Sequence, residues 1–337
     1  MRRLWVLAAV AGALLGQAAP PDGAQQIAAI GDLQLASGAT IRDCRVGYRT
    51  FGTLNSARSN AVLVPTWFSG RSEALAALIG PGKLVDSSRY FVIAVDALGD
   101  GVLSSPSNST LQPHMRFPQF TVHDMVASQH RMLASALHLT HLHAVVGVSM
   151  GGMQTFEWMV SYPAFLDRAV PVVGSPQLTA YDMLLWRAEA HAIEADAAWQ
   201  QGEYSQQPAA AMRTVSDIHA LNLFTPTYIA GHTGRAEFDA WVAAAEKAPA
   251  FDANDWLRQL QAMLAMDIGS FEHAAAKVKA KTLIVVGLQD HMVNPGPALR
   301  LAKALAAPTL EIDSACGHMV TACEGPRIAA AVAKFLQ

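Results

Sequence analysis

The sequence predicts an α/β fold: a mainly parallel sheet with helices on both faces and a helical cap insertion. Short apolar segments of strand length alternate with helical stretches over most of the chain. That order builds βαβ units and covers both faces of a sheet. Between Ser175 and about Phe271 the alternation gives way to Ala-rich helical runs. Apolar residues make up 52% of the 337 positions, enough to core one large domain that carries such an insertion.

Taken in chain order, the first element is a targeting segment. Met1-Arg2-Arg3 is basic, and Leu4 to Leu15 is an apolar run of about a dozen residues, suited to a signal-peptide core and short for a membrane span. Gly16-Gln17-Ala18 offers small residues to a signal peptidase, so residues 1–18 read as a signal peptide cleaved before Ala19-Pro20, with an uncleaved anchor as the alternative. The expected location is periplasmic or secreted, with no stable membrane span after processing. Leu33 to Thr53 alternates as antiparallel edge strands do. Asn60 to Thr66, Tyr90 to Val95, Val145 to Val148, Ala169 to Val173, Thr282 to Gly287 and Thr309 to Asp313 read as strands. Tyr181 to Ala198 and Phe238 to Met266 read as cap helices, with turns such as Gln201-Gly202-Glu203 between them. The expected division is a core of 33–174 and 272–337 and a helical cap of 175–271 shaping a substrate pocket.

The densest chemical signal is Val145-Val146-Gly147-Val148-Ser149-Met150-Gly151-Gly152. A buried strand runs into a serine flanked by glycines and then into the helical run Met153 to Val160. Gly147-x-Ser149-x-Gly151 is the nucleophile elbow, in which a sharp strand-to-helix turn lifts the serine hydroxyl above the sheet edge. Side chains at the glycine positions would collide with the neighbouring strand or helix. The turn also aims the Met150 N–H, at a helix N-terminus, toward a developing oxyanion. A second donor is expected from the loop after the strand ending at Thr66, at Trp67.

A nucleophilic serine needs a base, and the base an orienting carboxylate, in the chain order serine, acid, histidine. Asp290 follows the apolar strand Thr282 to Gly287, and His318 lies in the Gly-His turn after Thr309 to Asp313. These two are the expected acid and base. Asp313 is a rival acid whose place at a strand end fits a turn role. His141, His143 and His130 lack metal-ligand spacing, and His130 reads as a packed helix histidine. With no His-Glu-x-x-His helix and no Cys-x-x-Cys pair, neither a catalytic metal nor a cofactor is expected. A net charge of −3 without a basic block gives no electrostatic case for nucleic acid. The cysteines are Cys44, Cys316 and Cys323; the last two bracket His318 and pairing between them is left open.

Several phrases together resemble the homoserine O-acetyltransferase family of the α/β-hydrolase fold, from about Leu33 to the C-terminus. They are Val46-Gly47-Tyr48-Arg49-Thr50-Phe51-Gly52-Thr53-Leu54-Asn55, Asn60 to Val64, Asp124-Met125-Val126 leading to Gln129-His130-Arg131, and Ser149-Met150-Gly151-Gly152-Met153-Gln154 with Glu157-Trp158. The resemblance implies an acyl-serine intermediate, ping-pong transfer, and Ser149, Asp290 and His318 as the matched triad. It also implies an aspartate after the histidine and an arginine in the first cap helix, both serving the amino-acid acceptor. Here Met319 and Ala190 stand there, with Arg187 one turn earlier. A zwitterion would find poor partners in such a pocket. The expected activity is therefore an exported serine ester hydrolase acting on a small acyl ester, with O-acyltransfer as the alternative. The oligomeric state is left open.

Overall fold

The computed structural model describes residues 22–247 and 251–337; the segment expected to be a signal peptide lies outside them. Among the described residues nine strands form one sheet: β1 (Gln26–Gln34), β2 (Thr40–Phe51), β3 (Ala61–Pro65), β4 (Phe91–Val95), β5 (Leu142–Val148), β6 (Leu166–Val172), β7 (Lys281–Thr282), β8 (Ile284–Gly287) and β9 (Thr309–Ile312). Their order across the sheet is β1-β2-β4-β3-β5-β6-β8-β9, with β7 also paired to β6. β1 and β2 pair antiparallel, as do β2 and β4, and every later pairing is parallel.

The helices are α1 (Ser72–Leu75), α2 (Val122–Ala136), α3 (Met150–Ser161), α4 (Ala180–Glu194), α5 (Ala209–Leu223) and α6 (Pro226–His232). They continue with α7 (Phe238–Glu246), α8 (Ala253–Leu264), α9 (Phe271–Lys277), α10 (Gly296–Leu305), α11 (Val320–Cys323) and α12 (Gly325–Phe335).

The parallel strands are buried on both faces, which is why β3 and β5 are apolar almost throughout rather than alternating. Leu63 and Val145 pack on one side with Met125, Phe156 and Trp158 from α2 and α3. Val62, Val64 and Val146 pack on the other with Leu75 of α1 and Ile328 and Val332 of α12. Fully burying each such side chain contributes on the order of 1.5–3 kcal/mol. α2 begins at Thr121, whose hydroxyl and the Asp124 carboxylate cap each other's backbone N–H groups; the same carboxylate accepts the Ala36 N–H at 2.8 Å, fastening the edge hairpin to the helix.

Several boundaries differ from the sequence reading: β5 and β6 each start three residues early, the run Thr282 to Gly287 is split into β7 and β8, and three further differences have a local cause. The first edge strand starts at Gln26, not near Leu33. Its alternation is broken by a bulge at Gly31, held at φ 68°, so that Ala28 and Ile30 face the core before the bulge and Leu33 after it. The helix expected to reach Ala198 ends at Glu194, because Asp196 turns its carboxylate onto the Ala198 N–H and opens a separate turn. The run expected from Phe238 to Met266 is two helices, the second started by Asp252, whose carboxylate accepts the N–H groups of Asn254 and Asp255.

α2 also carries two histidines in opposite environments. His130 stacks on Tyr162 with ring centroids 4.0 Å apart and meets Phe165 edge-on at 4.8 Å. Burial holds its pKa below the ordinary 6.5. His123, half exposed, faces the Glu157 carboxylate at 2.8 Å, and that hydrogen bond raises its pKa above 6.5. The stability that His130 contributes is therefore complete above pH 6.5 and is lost as pH falls toward its lowered folded value. The contribution of His123 is present below 6.5 and is lost as pH rises through its raised folded value. A histidine NMR titration should place the two midpoints on opposite sides of 6.5; both on one side would contradict this packing.

Candidate active site

Turns at the C-terminal ends of β3, β5, β8 and β9 converge, the edge where a parallel sheet collects its chemistry. β5 enters α3 through Ser149, held at φ 59°, ψ −121°, a conformation costly for an L-residue. The glycines around it show how the strain is imposed. A Cβ on Gly147 would run into the Gly151 carbonyl and lie 2.6 Å from the Thr155 hydroxyl oxygen. One on Gly151 would lie 2.5 Å from the Pro65 carbonyl oxygen of β3, and one on Gly152 2.9 Å from the Val172 carbonyl oxygen of β6. The first turn of α3 is thus pressed onto two neighbouring strands.

The Ser149 hydroxyl oxygen lies 2.8 Å from His318 Nε2, and His318 Nδ1 lies 2.7 Å from Asp290 Oδ2. The other Asp290 oxygen accepts the N–H groups of Met292 at 2.8 Å and Val293 at 2.9 Å. A carboxylate so held only accepts, so Nδ1 carries the imidazole proton and Nε2 is left to accept from Ser149. The Asp290 and His318 side chains are 1% and 7% exposed, so their attraction is weakly screened. Asp313 is exposed and accepts a hydrogen bond from Gln289 Nε2 at 2.5 Å, a turn contact away from the histidine.

His318 sits in the short turn Gly317–Met319, where Gly317 takes φ 58°. A disulfide joins Cys316 to Cys323 around it. Thr225, at the start of α6, donates its N–H and hydroxyl to the Ala315 carbonyl at 3.2 and 2.6 Å, bracing the same turn from the inserted helices.

The Met150 N–H heads α3, and the Trp67 N–H lies in the turn after β3; among the described residues neither has a protein acceptor. The Trp67 turn is fastened on both sides. Thr66 donates its N–H to the Val95 carbonyl at 3.1 Å and accepts the Ala97 N–H at 3.0 Å on its hydroxyl. Ser69 donates its N–H to Gln259 Oε1 at 2.9 Å, and Gln259 Nε2 donates to the Leu98 carbonyl at 3.1 Å.

Gln259 of α8 escapes the sequence reading, as does a polar pair in the inserted helices. Glu189 of α4, wholly buried, accepts the Trp256 Nε1–H at 3.1 Å and faces His219 Nδ1 at 3.1 Å. Phe68, next to Trp67, packs against both rings, at 5.7 Å from His219 and 4.6 Å from Trp256. Ala190 is buried beside Glu189, whereas Arg187 is exposed, so the buried side of α4 carries the carboxylates of Asp182 and Glu189 and no guanidinium. Met319 is half-buried after His318. Among the described residues, no group of three or more His, Cys, Asp or Glu is placed to hold a metal ion, and no helix is long and apolar enough to cross a membrane.

A family model described as the alpha/beta hydrolase fold matches residues 73–321. The chain is similar to an ethyl acetate hydrolase from Pseudomonas veronii, 37% identical over 61% of this chain and 60% of that protein, so the match spans less than two thirds of that relative's length. It is similar to a homoserine O-acetyltransferase from Methanococcoides burtonii, 30% identical over 91% of this chain and 72% of that protein. Among solved structures it is similar to the acetyl esterase MekB, with a TM-score of 0.87 and 28% identity over 93% of this chain and 97% of that one.

The close packing at the serine turn is testable by stability. Gly147→Ala should destabilise the fold by about 3 kcal/mol or more, or prevent it. Gly231→Ala in α6, where an added Cβ meets nothing within 4 Å, should be neutral or slightly stabilising. Equal denaturation midpoints for the two variants would contradict the packing described for Gly147.

Proposed function

The chain belongs to the homoserine O-acetyltransferase family of the α/β-hydrolase fold, and we propose that it is a serine ester hydrolase working on small acyl esters through an acyl-serine intermediate. The supporting observation is the hydrogen-bonded series Asp290–His318–Ser149 set beside the Met150 and Trp67 N–H groups.

In the proposed reaction His318 Nε2 takes the proton of Ser149 as Oγ attacks the ester carbonyl carbon. The oxyanion that forms meets the Met150 and Trp67 N–H groups. As the intermediate collapses, the bond to the alcohol oxygen breaks and the imidazolium returns its proton to that leaving alcohol. Water then repeats the sequence on the acyl-serine: His318 removes a water proton, the free acid departs, and Ser149 regains its proton. Asp290 holds the imidazole tautomer and stabilises the imidazolium between these steps.

Water is the proposed acceptor. The buried side of α4 has Ala190 rather than an arginine for the carboxylate of a zwitterionic amino acid, its Glu189 is wholly buried against Trp256 and His219, and Met319 supplies no carboxylate for the ammonium. Desolvating two charges without partners costs several kcal/mol that water does not face. Similarity to an ethyl acetate hydrolase and an acetyl esterase favours the same side. The second reading, acyl transfer to an alcohol, is favoured by the match to a homoserine O-acetyltransferase over 91% of the chain.

Export is a further part of the proposal. It is supported by the basic, then apolar, first 18 residues and by the Cys316–Cys323 disulfide, a bond that persists in oxidising compartments.

Two measurements test these readings. Product partitioning from one acyl donor, with homoserine at millimolar concentration, should give mainly free acid by mass spectrometry; mainly O-acyl-homoserine would establish the transferase reading instead. Mature protein from the native host should begin near Ala19, and a soluble form that begins at Met1 would sink the export proposal.

A further inference from the structure

Gln129, Gln154 and Trp158 stood out in the sequence but take no part in the reaction just described. All three are completely buried, in α2 and α3. Trp158 Nε1 donates to Gln129 Oε1 at 2.9 Å, Gln129 Nε2 donates to Gln154 Oε1 at 2.5 Å, and Gln154 Nε2 donates to the Thr66 carbonyl at 2.9 Å and the Met150 carbonyl at 3.2 Å. The polarity of this series has only one solution. An indole nitrogen can only donate, so Gln129 must present its oxygen to Trp158 and its NH₂ to Gln154. Gln154 must then turn its own NH₂ to two backbone carbonyls, which can only accept. Neither amide can flip without leaving donors face to face in a dry interior, where an unsatisfied polar group is costly.

The place where the series ends gives it significance. The Thr66 carbonyl belongs to the same peptide unit as the Trp67 N–H. In a trans peptide those two groups point in opposite directions. Fixing the carbonyl oxygen on Gln154 therefore fixes the direction of the N–H. The second hydrogen of Gln154 Nε2 reaches the carbonyl of Met150, whose N–H is the other proposed oxyanion donor. One amide thus ties the two turns that carry both donors.

We infer that Gln154 is a positioning residue: it sets the Thr66–Trp67 peptide plane against the first turn of α3, with Gln129 and Trp158 fixing its amide orientation. The inference rests on the serine hydrolase reading above. Such preorganisation acts where charge develops and so lowers the barrier rather than improving substrate binding.

The test compares Gln154→Glu and Gln154→Met with wild type, using a short-chain p-nitrophenyl ester as substrate and a short alkyl boronic acid as an oxyanion-forming inhibitor. Folding is checked by thermal melting. Losing a well-aimed oxyanion donor costs about 10²–10³ in kcat, so misaiming one should cost about 10- to 100-fold. KM should change less than about threefold, and boronate affinity should fall in step with kcat. Gln154→Glu should recover part of its kcat relative to wild type as pH is lowered, because only the protonated carboxyl can donate to the Thr66 carbonyl. If one variant does not fold, the other decides the matter. If neither folds, Trp158→Phe, which removes the donor that orients Gln129, should show a smaller loss of the same kind. Unchanged kcat in a folded Gln154 variant, or a rise in KM at constant kcat, would overturn the assignment while leaving the hydrolase reading intact. Wild-type turnover that survives Ser149→Ala would overturn both.

Discussion

The closeness of the serine turn to its neighbours is the constraint on which the rest of the structure depends. Ser149 holds a strained backbone because α3 begins directly against the ends of β3 and β6, with no room for a side chain at Gly147, Gly151 or Gly152. Strain of this kind costs about 1–3 kcal/mol. α3 buries every residue from Met150 to Met159, among them Met153, Phe156, Trp158 and Met159, and that burial outweighs the strain several times over. The same closeness brings the N-terminus of α3 beside the turn after β3. The two proposed oxyanion donors are thus neighbours because the core is packed as it is.

Around that fixed point, the turns that carry Trp67 and His318 are held by polar groups from distant parts of the chain. Gln259 of α8 grips the turn that carries Trp67, Thr225 braces the turn that carries His318, and the Cys316–Cys323 bond closes around the same histidine. Asp290 is fixed by two backbone N–H groups before it meets His318. Each tether replaces a contact with water by one with protein, so little reorganisation remains when charge develops at the ester carbonyl. The helices inserted between β6 and β7 therefore support the site and do not merely cover it.

Much of this was legible in the sequence, and the parts that were not have a common physical origin. The parallel sheet was readable because strands buried on both faces must be apolar throughout. The grouping of Ser149, Asp290 and His318 was readable because strand-end turns impose a chain order. The sequence favoured Asp290 over Asp313 only by Asp313's place at a strand end; the physical distinction, a carboxylate held by the Met292 and Val293 N–H groups against an exposed one, needs the structure. β1 was cut short because the Gly31 bulge shifts its alternation by one residue. The roles of Gln259 and Glu189, and the pairing of Gln129 with Gln154, were invisible for another reason. A buried glutamine or glutamate looks like a surface residue until its long-range partner is known, and such pairings leave no periodic trace.

Ser149, its base and the glutamine series are all arranged about one oxyanion site. The most direct measurement is a crystal structure of the enzyme inactivated by a small alkyl phosphonate ester. The account predicts phosphorus bonded to Ser149 Oγ and the phosphoryl oxygen within hydrogen-bond distance of both the Met150 and Trp67 nitrogens. An adduct on another residue, or a phosphoryl oxygen turned away from those two groups, would contradict it.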